Sequence, residues 1–210
     1  MTADATLRYP RSVRLGAGEV TLRAMSPADG PALLVFARSL PPHDLLFLRR
    51  DITQAAAVER WTHGIEQGTI WTVLAEAGGV IHGYAAIARE ELGWSPHVAE
   101  LRVLVAEGMR GKGLGRLLTQ EAFALALGLG IDKMIAQMTL DQTGAITVFE
   151  GMGFHPEALL RDHVKDRAGN THDLLVLSRD VVKFQAQLAA YGLGEALGGG
   201  EAGEGSPTGS

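Results

Sequence analysis

Val98-Ala99-Glu100-Leu101-Arg102-Val103-Leu104-Val105 and, five residues on, Arg110-Gly111-Lys112-Gly113-Leu114-Gly115-Arg116 form the stretch on which the fold turns. The first run is aliphatic and rich in β-branched residues, so it reads as a strand. The second is a glycine-rich turn. Behind it Leu114, Leu117, Leu118, Ala122 and Leu125 fall at helical spacing, which predicts a helix over about 113–127 that Gly128 and Gly130 end. Strand, glycine turn and helix start together make a site for an anion. Glycine lets the backbone approach a ligand closely, and the first N–H groups of the helix point outward with the positive end of the dipole behind them. Arg110, Lys112 and Arg116 add three cations within seven residues, which suits a guest carrying several phosphates, a pyrophosphate above all. The competing reading of the same letters is an ordinary turn with solvated basic residues.

Two other phosphate motifs fail on spacing. A P-loop needs Ser or Thr directly after Gly-Lys, where this chain has Gly113, and a dinucleotide fingerprint needs glycine where Arg116 stands.

Outward from this stretch, residues 19–24 alternate as a strand, and Ser26 caps a helix with Pro27 at its first position that runs to about residue 39. Pro41, Pro42 and Asp44 interrupt the chain, and Thr53 caps a second helix over 55–66. Residues 70–75 and 80–88 form a hairpin turned by Gly78-Gly79. A strand over 133–138, a helix over 143–152 stopped by Gly153, and a final strand pair at 154–165 and 173–178 turned by Ala168-Gly169-Asn170 complete the pattern. The unit over 98–138 is a strand–helix–strand crossover among hairpins, so the fold class is α/β (α+β) with a mixed sheet. Four segments are expected: a flexible arm at 1–18, one domain at 19–182, a short helix at 183–191, and a disordered tail at 192–210 that holds eight glycines and three glutamates.

Composition narrows the function. The 210 residues carry 19 Lys and Arg against 24 Asp and Glu, a net charge of -5, so no global basic field exists for nucleic acid or an anionic membrane. Cysteine is absent, which removes disulfides, thiolate zinc sites and cysteine nucleophiles together. No apolar run has the length of a membrane span or secretory signal, so the expected location is cytoplasmic. Seven histidines are scattered singly with none paired at helical ligand spacing, and no metal is expected. Trp61, Trp71 and Trp94 read as core or site-wall aromatics, without the basic interleaving of a base-stacking platform.

The glycine turn resembles the cofactor motif of the GNAT superfamily of N-acetyltransferases: Arg110, Gly113 and Gly115 match its Gln or Arg, Gly, and Gly or Ala positions. Ala99 to Val105 looks like the family's fourth strand, and Ala145, Ile146, Phe149 and Gly153-Phe154 look like its last conserved helix with a Gly-Phe ending. The likeness spans about 20–180. It implies a mostly antiparallel central sheet of about seven strands with about four helices, and acetyl-CoA as acyl donor. It also implies the CoA pyrophosphate on Arg110, Gly111, Lys112, Gly113, Leu114, Gly115 and Arg116. The pantetheine arm would pair with Val103, Leu104 and Val105 in a slot facing 133–138, the thioester carbonyl meeting an N–H near Leu104.

An acceptor amine with a pKa of about 10.4 is scarcely neutral at pH 7, a cost of roughly 4–5 kcal/mol, so a base is needed. Glu100 stands where related acetyltransferases keep a catalytic glutamate. The structural alternative is a Glu100 that pairs with Arg102 or a neighbouring strand and only holds the site together. Glu90, Glu91 and His97 are the fallback bases. Where the family often has a tyrosine acid, this chain has Phe149, which leaves the thiolate to depart unaided and the ring to pack on the CoA arm; the family's amide partner of the cofactor falls on Gln142.

The resemblance narrows further. Tyr9-Pro10, Leu22-Arg23, Leu40-Pro41 and Ala99-Glu100 with Arg110 ten residues later look like the GNAT domains of bacterial protein lysine acetyltransferases. That likeness puts a protein lysine ahead of a small amine such as a polyamine, antibiotic or amino acid. Partners are the amine acceptor and, as one expectation, a second copy in a homodimer. A non-catalytic acyl-CoA sensor is the reading from another functional class.

Overall fold

A computed structural model describes residues 9–16, 18–90, 92–183 and 186. Its strands are β1 (Arg11–Leu15), β2 (Gly18–Ala24), β3 (Ile70–Ala77), β4 (Val80–Arg89), β5 (Val98–Val105), β6 (Lys133–Thr139), β7 (His155–Lys165) and β8 (Thr171–Asp180). They form one sheet in the order β1-β2-β3-β4-β5-β6-β8-β7. Every neighbouring pair is antiparallel except β5–β6, which is the crossover unit read from the sequence.

The helices are α1 (Gly30–Ser39), α2 (Ala55–Glu66), α3 (Leu114–Gly128) and α4 (Thr143–Glu150). Two apolar clusters sandwich the sheet. Leu114, Leu118, Ala122, Phe123, Leu125 and Ala126 of α3 pack with Phe149 of α4 on one face. Leu33, Phe36 and Ala37 of α1 pack with Val58 and Trp61 of α2 on the other. Each fully buried leucine of this kind contributes about 1.5–3 kcal/mol of transfer free energy.

Three expectations need correction. The sheet has eight strands, because Arg11–Leu15 inside the presumed flexible arm is the edge strand β1, paired from Arg11↔Leu22 to Leu15↔Gly18. It is further tied down by Tyr9, whose hydroxyl donates to Glu121 Oε2 at 2.7 Å, and by the ion pair of Arg11 with the same carboxylate. The helix expected from residue 27 begins as a 3-10 turn at Pro27–Asp29 and restarts as α1 at Gly30. Pro31 explains the break: in a continuous helix its ring would clash with the carbonyl four residues back, at Pro27. Thr53 does not cap α2, because Asp51 takes both its N–H (3.0 Å) and its hydroxyl (2.6 Å), leaving Gln54 at the cap position. The tail at 192–210 and nearly all of the helix expected at 183–191 lie outside the described residues.

The β3–β4 hairpin is as read. Gly78 (φ 58°) and Gly79 (φ 78°) form its two-residue turn between Ala77 and Val80. Among the described residues no helix is long and apolar enough to cross a membrane.

Candidate active site

Strands β5 and β6 pair over three residues only: Val98↔Lys133, Ala99↔Met134 and Glu100↔Ile135. Beyond that point β5 keeps to β4 as far as Gly83↔Val105, while β6 keeps to β8 as far as Thr139↔Leu174. The two strands therefore splay, and the edge of β5 over 101–105 that faces β6 has no strand beside it. Gly83 permits the close β4–β5 contact here, since a Cβ on it would lie 2.8 Å from the Leu104 carbonyl oxygen.

Strand alternation sorts the side chains at the gap. Val103 and Val105 pack toward the α3–α4 cluster, while Leu104 lies in the α1–α2 cluster, and Glu100 and Arg102 share its parity. Glu100 is 7% exposed and holds Arg102 in a two-pronged bond, Nε at 3.0 Å and a terminal nitrogen at 2.9 Å. A second guanidinium, Arg49 from the loop before α2, places its Nε 3.1 Å from Glu100 Oε2. Burial opposes the charge on Arg102, but the bonds to Glu100 outweigh it and hold the guanidinium above its ordinary range. Tyr84, paired with Leu104 in register, lies below with its ring edge-on to Phe36 and Trp61. Its buried hydroxyl has no partner among the described residues, and desolvation pushes the phenol well up.

At the wide end of the gap lies the glycine turn. Gly111 (φ 69°) and Gly113 (φ 89°) are left-handed, so they require glycine for backbone reasons alone. Gly115 is different. It sits inside α3 with room for a Cβ, whose nearest neighbour would be Val105 Cγ2 at 3.7 Å, so the fold itself does not demand glycine there. The opening N–H groups of α3 have no acceptor within the helix. Lys112 donates to the Gly108 carbonyl at 2.7 Å, Arg110 pairs with Asp44, and Arg116 is exposed.

A 3-10 helix at Pro42–Leu45 bridges the two lips of the gap. Asp44 reaches Arg110, beyond the end of β5, while His43 reaches Asp141, beyond the end of β6, at 2.5 Å. Burial raises the Asp141 carboxyl, but bonds from Thr139, its own backbone and His43 together hold it below the usual range. The His43 ring meets His172 edge-on at 5.3 Å, and His172 is 3.2 Å from Asp166. Behind His43, a cavity of about 570 Å³ opens between the loop after α1 and the β7–β8 turn, walled by Leu46, Asp51, Asp166 and Arg167 among others.

The expected residues distribute unevenly. Glu100, Val103, Leu104 and Val105 line the splay, and 110–116 stand at its open end. Gln142 is at the cap position of α4, with its amide oxygen accepting the Thr139 N–H at 3.1 Å. Phe149 is 5% exposed and packs edge-on against Phe154 at 5.0 Å, in the core under α4. Glu90 and His97 are exposed at the far end of β5, and no contact recorded for Glu100 involves either; Glu91 lies outside the described residues. Trp61 is core and Trp71 lies under Arg89, but Trp94, expected as core or wall, is fully exposed on the β4–β5 loop. Sequence reasoning missed Arg49, His43, Asp44 and Tyr84, and it read His43 and His172 as isolated. No local spacing signals these: residues 43 and 172 meet only because β8 crosses beside β6.

The model of the Acetyltransferase (GNAT) family matches residues 38–154. A curated relative, YwnH of Bacillus subtilis (strain 168), whose name assigns it provisionally as a phosphinothricin acetyltransferase, is 32% identical over 83 residues. That match takes in 40% of this chain and 50% of the relative, so the chain spans about half of the relative's length. Among solved structures, a ribosomal-protein-alanine N-acetyltransferase from Brucella melitensis is 24% identical with TM-score 0.65, covering 76% of this chain and 98% of the other. The GNAT domain of S. lividans PAT is 19% identical with TM-score 0.67, covering 82% and 97%. At these identities the structural likenesses speak for the fold.

Proposed function

Because the chain belongs to the acetyltransferase (GNAT) family, whose acyl donor is acetyl-CoA, we propose that it transfers an acetyl group from acetyl-CoA to a primary amine by direct attack at the point where β5 and β6 part. The splay carries this reading. It leaves the edge of β5 over 101–105 unpaired on the side facing β6, a few residues ahead of the glycine turn that opens α3. Val103, Leu104 and Val105 would bond the pantetheine amides as a neighbouring strand does, and Arg110, Gly111, Lys112, Gly113, Leu114, Gly115 and Arg116 would hold the diphosphate. The free space at Gly115 supports this, since a glycine the fold does not need suits a ligand that lies against it. Gln142, its amide oxygen already engaged, would offer its NH2 to the cofactor, and Phe149 would stiffen the wall below.

In the transfer the amine nitrogen bonds the thioester carbon, the C–S bond breaks, and CoA leaves as thiolate. A backbone N–H near Leu104 would stabilise the oxyanion. Glu100 is the proposed proton acceptor. A carboxylate has about four acceptor positions, and the Arg102 guanidinium occupies one on each oxygen, leaving positions for the amine or a bridging water.

The test is calorimetric binding of acetyl-CoA followed by CoA release on adding a panel of amines that includes a lysine peptide, spermidine and amino acids. Glu100→Gln should lower the rate by about 10²–10⁴ with acetyl-CoA affinity nearly intact. Full activity in that variant would remove Glu100 from the chemistry. Binding without release with any amine would favour a sensor over an enzyme.

A further inference from the structure

We propose that Arg49 reads the acceptor, and that the amine acetylated here carries an oxyanion, most simply a carboxylate, within two or three bonds of its nitrogen. This rests on Glu100 as the group that receives the amine. The argument begins with charge. Around the mouth Asp44 has a single arginine partner in Arg110, and Asp51 has one in Arg167. Glu100 instead faces two, Arg102 and Arg49, so the splay point carries an excess positive charge.

The two arginines are not equivalent. The Arg102 side chain is 16% exposed and donates to both carboxylate oxygens, which makes it the partner that burial requires. The Arg49 side chain is 66% exposed and touches the same carboxylate through Nε. An ion pair so exposed contributes little to stability, so folding does not account for a second arginine there. In ion-pair contact with Glu100 yet largely open to solvent, the Arg49 guanidinium is a group of the kind that binds carboxylates.

The consequence for substrate choice is direct. An amine meeting Glu100 Oε1 stands beside the Arg49 guanidinium, which is bound to the other oxygen of the same carboxylate. A carboxylate two bonds from that nitrogen would pair with Arg49 while the amine meets Glu100. A polyamine or a lysine side chain brings only further positive charge to the excess already present.

The purified full chain with acetyl-CoA would be tested for CoA release with glycine against glycinamide, L-alanine against L-alaninamide, and with spermidine and a lysine peptide. The free amino acids should exceed their amides at least tenfold in kcat/KM. Arg49→Gln should erase that preference through a KM rise of tenfold or more for the acids, with calorimetric acetyl-CoA affinity little changed, and Arg49→Lys should restore part of it. Amides, spermidine or peptide served equally well by the wild type, or a preference that survives Arg49→Gln, would overturn the assignment while leaving the transferase reading in place. No release with any amine by a protein that binds acetyl-CoA would instead overturn that reading, and the role of Arg49 with it.

Discussion

The two ends of the β5–β6 seam are held by different forces. At 98–100 the strands are joined by backbone pairing beneath a buried carboxylate, whereas beyond residue 101 no ladder exists and the lips are linked by side-chain charges from the loop at 42–45. Backbone pairing in a buried sheet is local and insensitive to salt. Partly exposed ion pairs are weak, screened and dependent on protonation. The closed end is thus built to stay, and the open end is the one a phosphate ligand proposed for Arg110 would have to loosen, by competing with Asp44.

The largest effect should come from the closed end. Glu100→Leu strands the Arg102 guanidinium without its counter-charge and should cost about 3–5 kcal/mol in urea denaturation. A loss below about 1 kcal/mol would mean the pair is not what holds that end. Gly115→Ala sharpens the contrast, because the fold has room for the methyl group and the cofactor proposed for the open end does not. Stability should hold or rise by up to about 1 kcal/mol, while acetyl-CoA affinity falls about tenfold or more by calorimetry. Tyr84→Phe, under the seam, removes a buried hydroxyl without a partner and keeps both ring contacts, so a gain of about 1 kcal/mol in melting experiments is expected.

The smallest effect belongs to the clasp at the open end, where Asp141→Asn should cost less than about 1 kcal/mol at pH 7. Its pH dependence has a definite sign. The carboxyl is held below its ordinary value in the folded state, so its contribution is complete above the unfolded value of about 3.9 and disappears as pH falls through the lower folded value. The protection of the amides at 44 and 46 against hydrogen exchange, relative to their intrinsic rates, should therefore fall at acid pH or high salt, while that of 98–100 is kept. An equal fall at both ends would erase the distinction.

What was legible is what is local. The strand at 98–105, the glycine turn and the stripe Leu114, Leu118, Ala122 and Leu125 are local patterns whose periods match their burial. The turn at Gly78-Gly79 was legible for the same reason. The rest depends on contacts between residues far apart in the chain. Arg49 and Glu100 are separated by 50 residues of helix and hairpin, and no period links them. The pairing of Glu100 with Arg102 was foreseen as an alternative because residues two apart on a strand share a face. Strand β1 escaped notice because its Arg11, Ser12 and Arg14 present little apolar surface, and its support comes from α3, more than a hundred residues away.

That support has a practical side. Glu121 lies in α3, the same helix whose first turn is offered to the diphosphate, and its carboxylate is 7% exposed between Tyr9 and Arg11. Trimming the amino end past residue 11 would leave a solvent-starved anion on α3. Shortened versions for crystallisation should therefore start ahead of Tyr9, and an affinity tag fused close to that residue would tug on the helix proposed to hold the diphosphate.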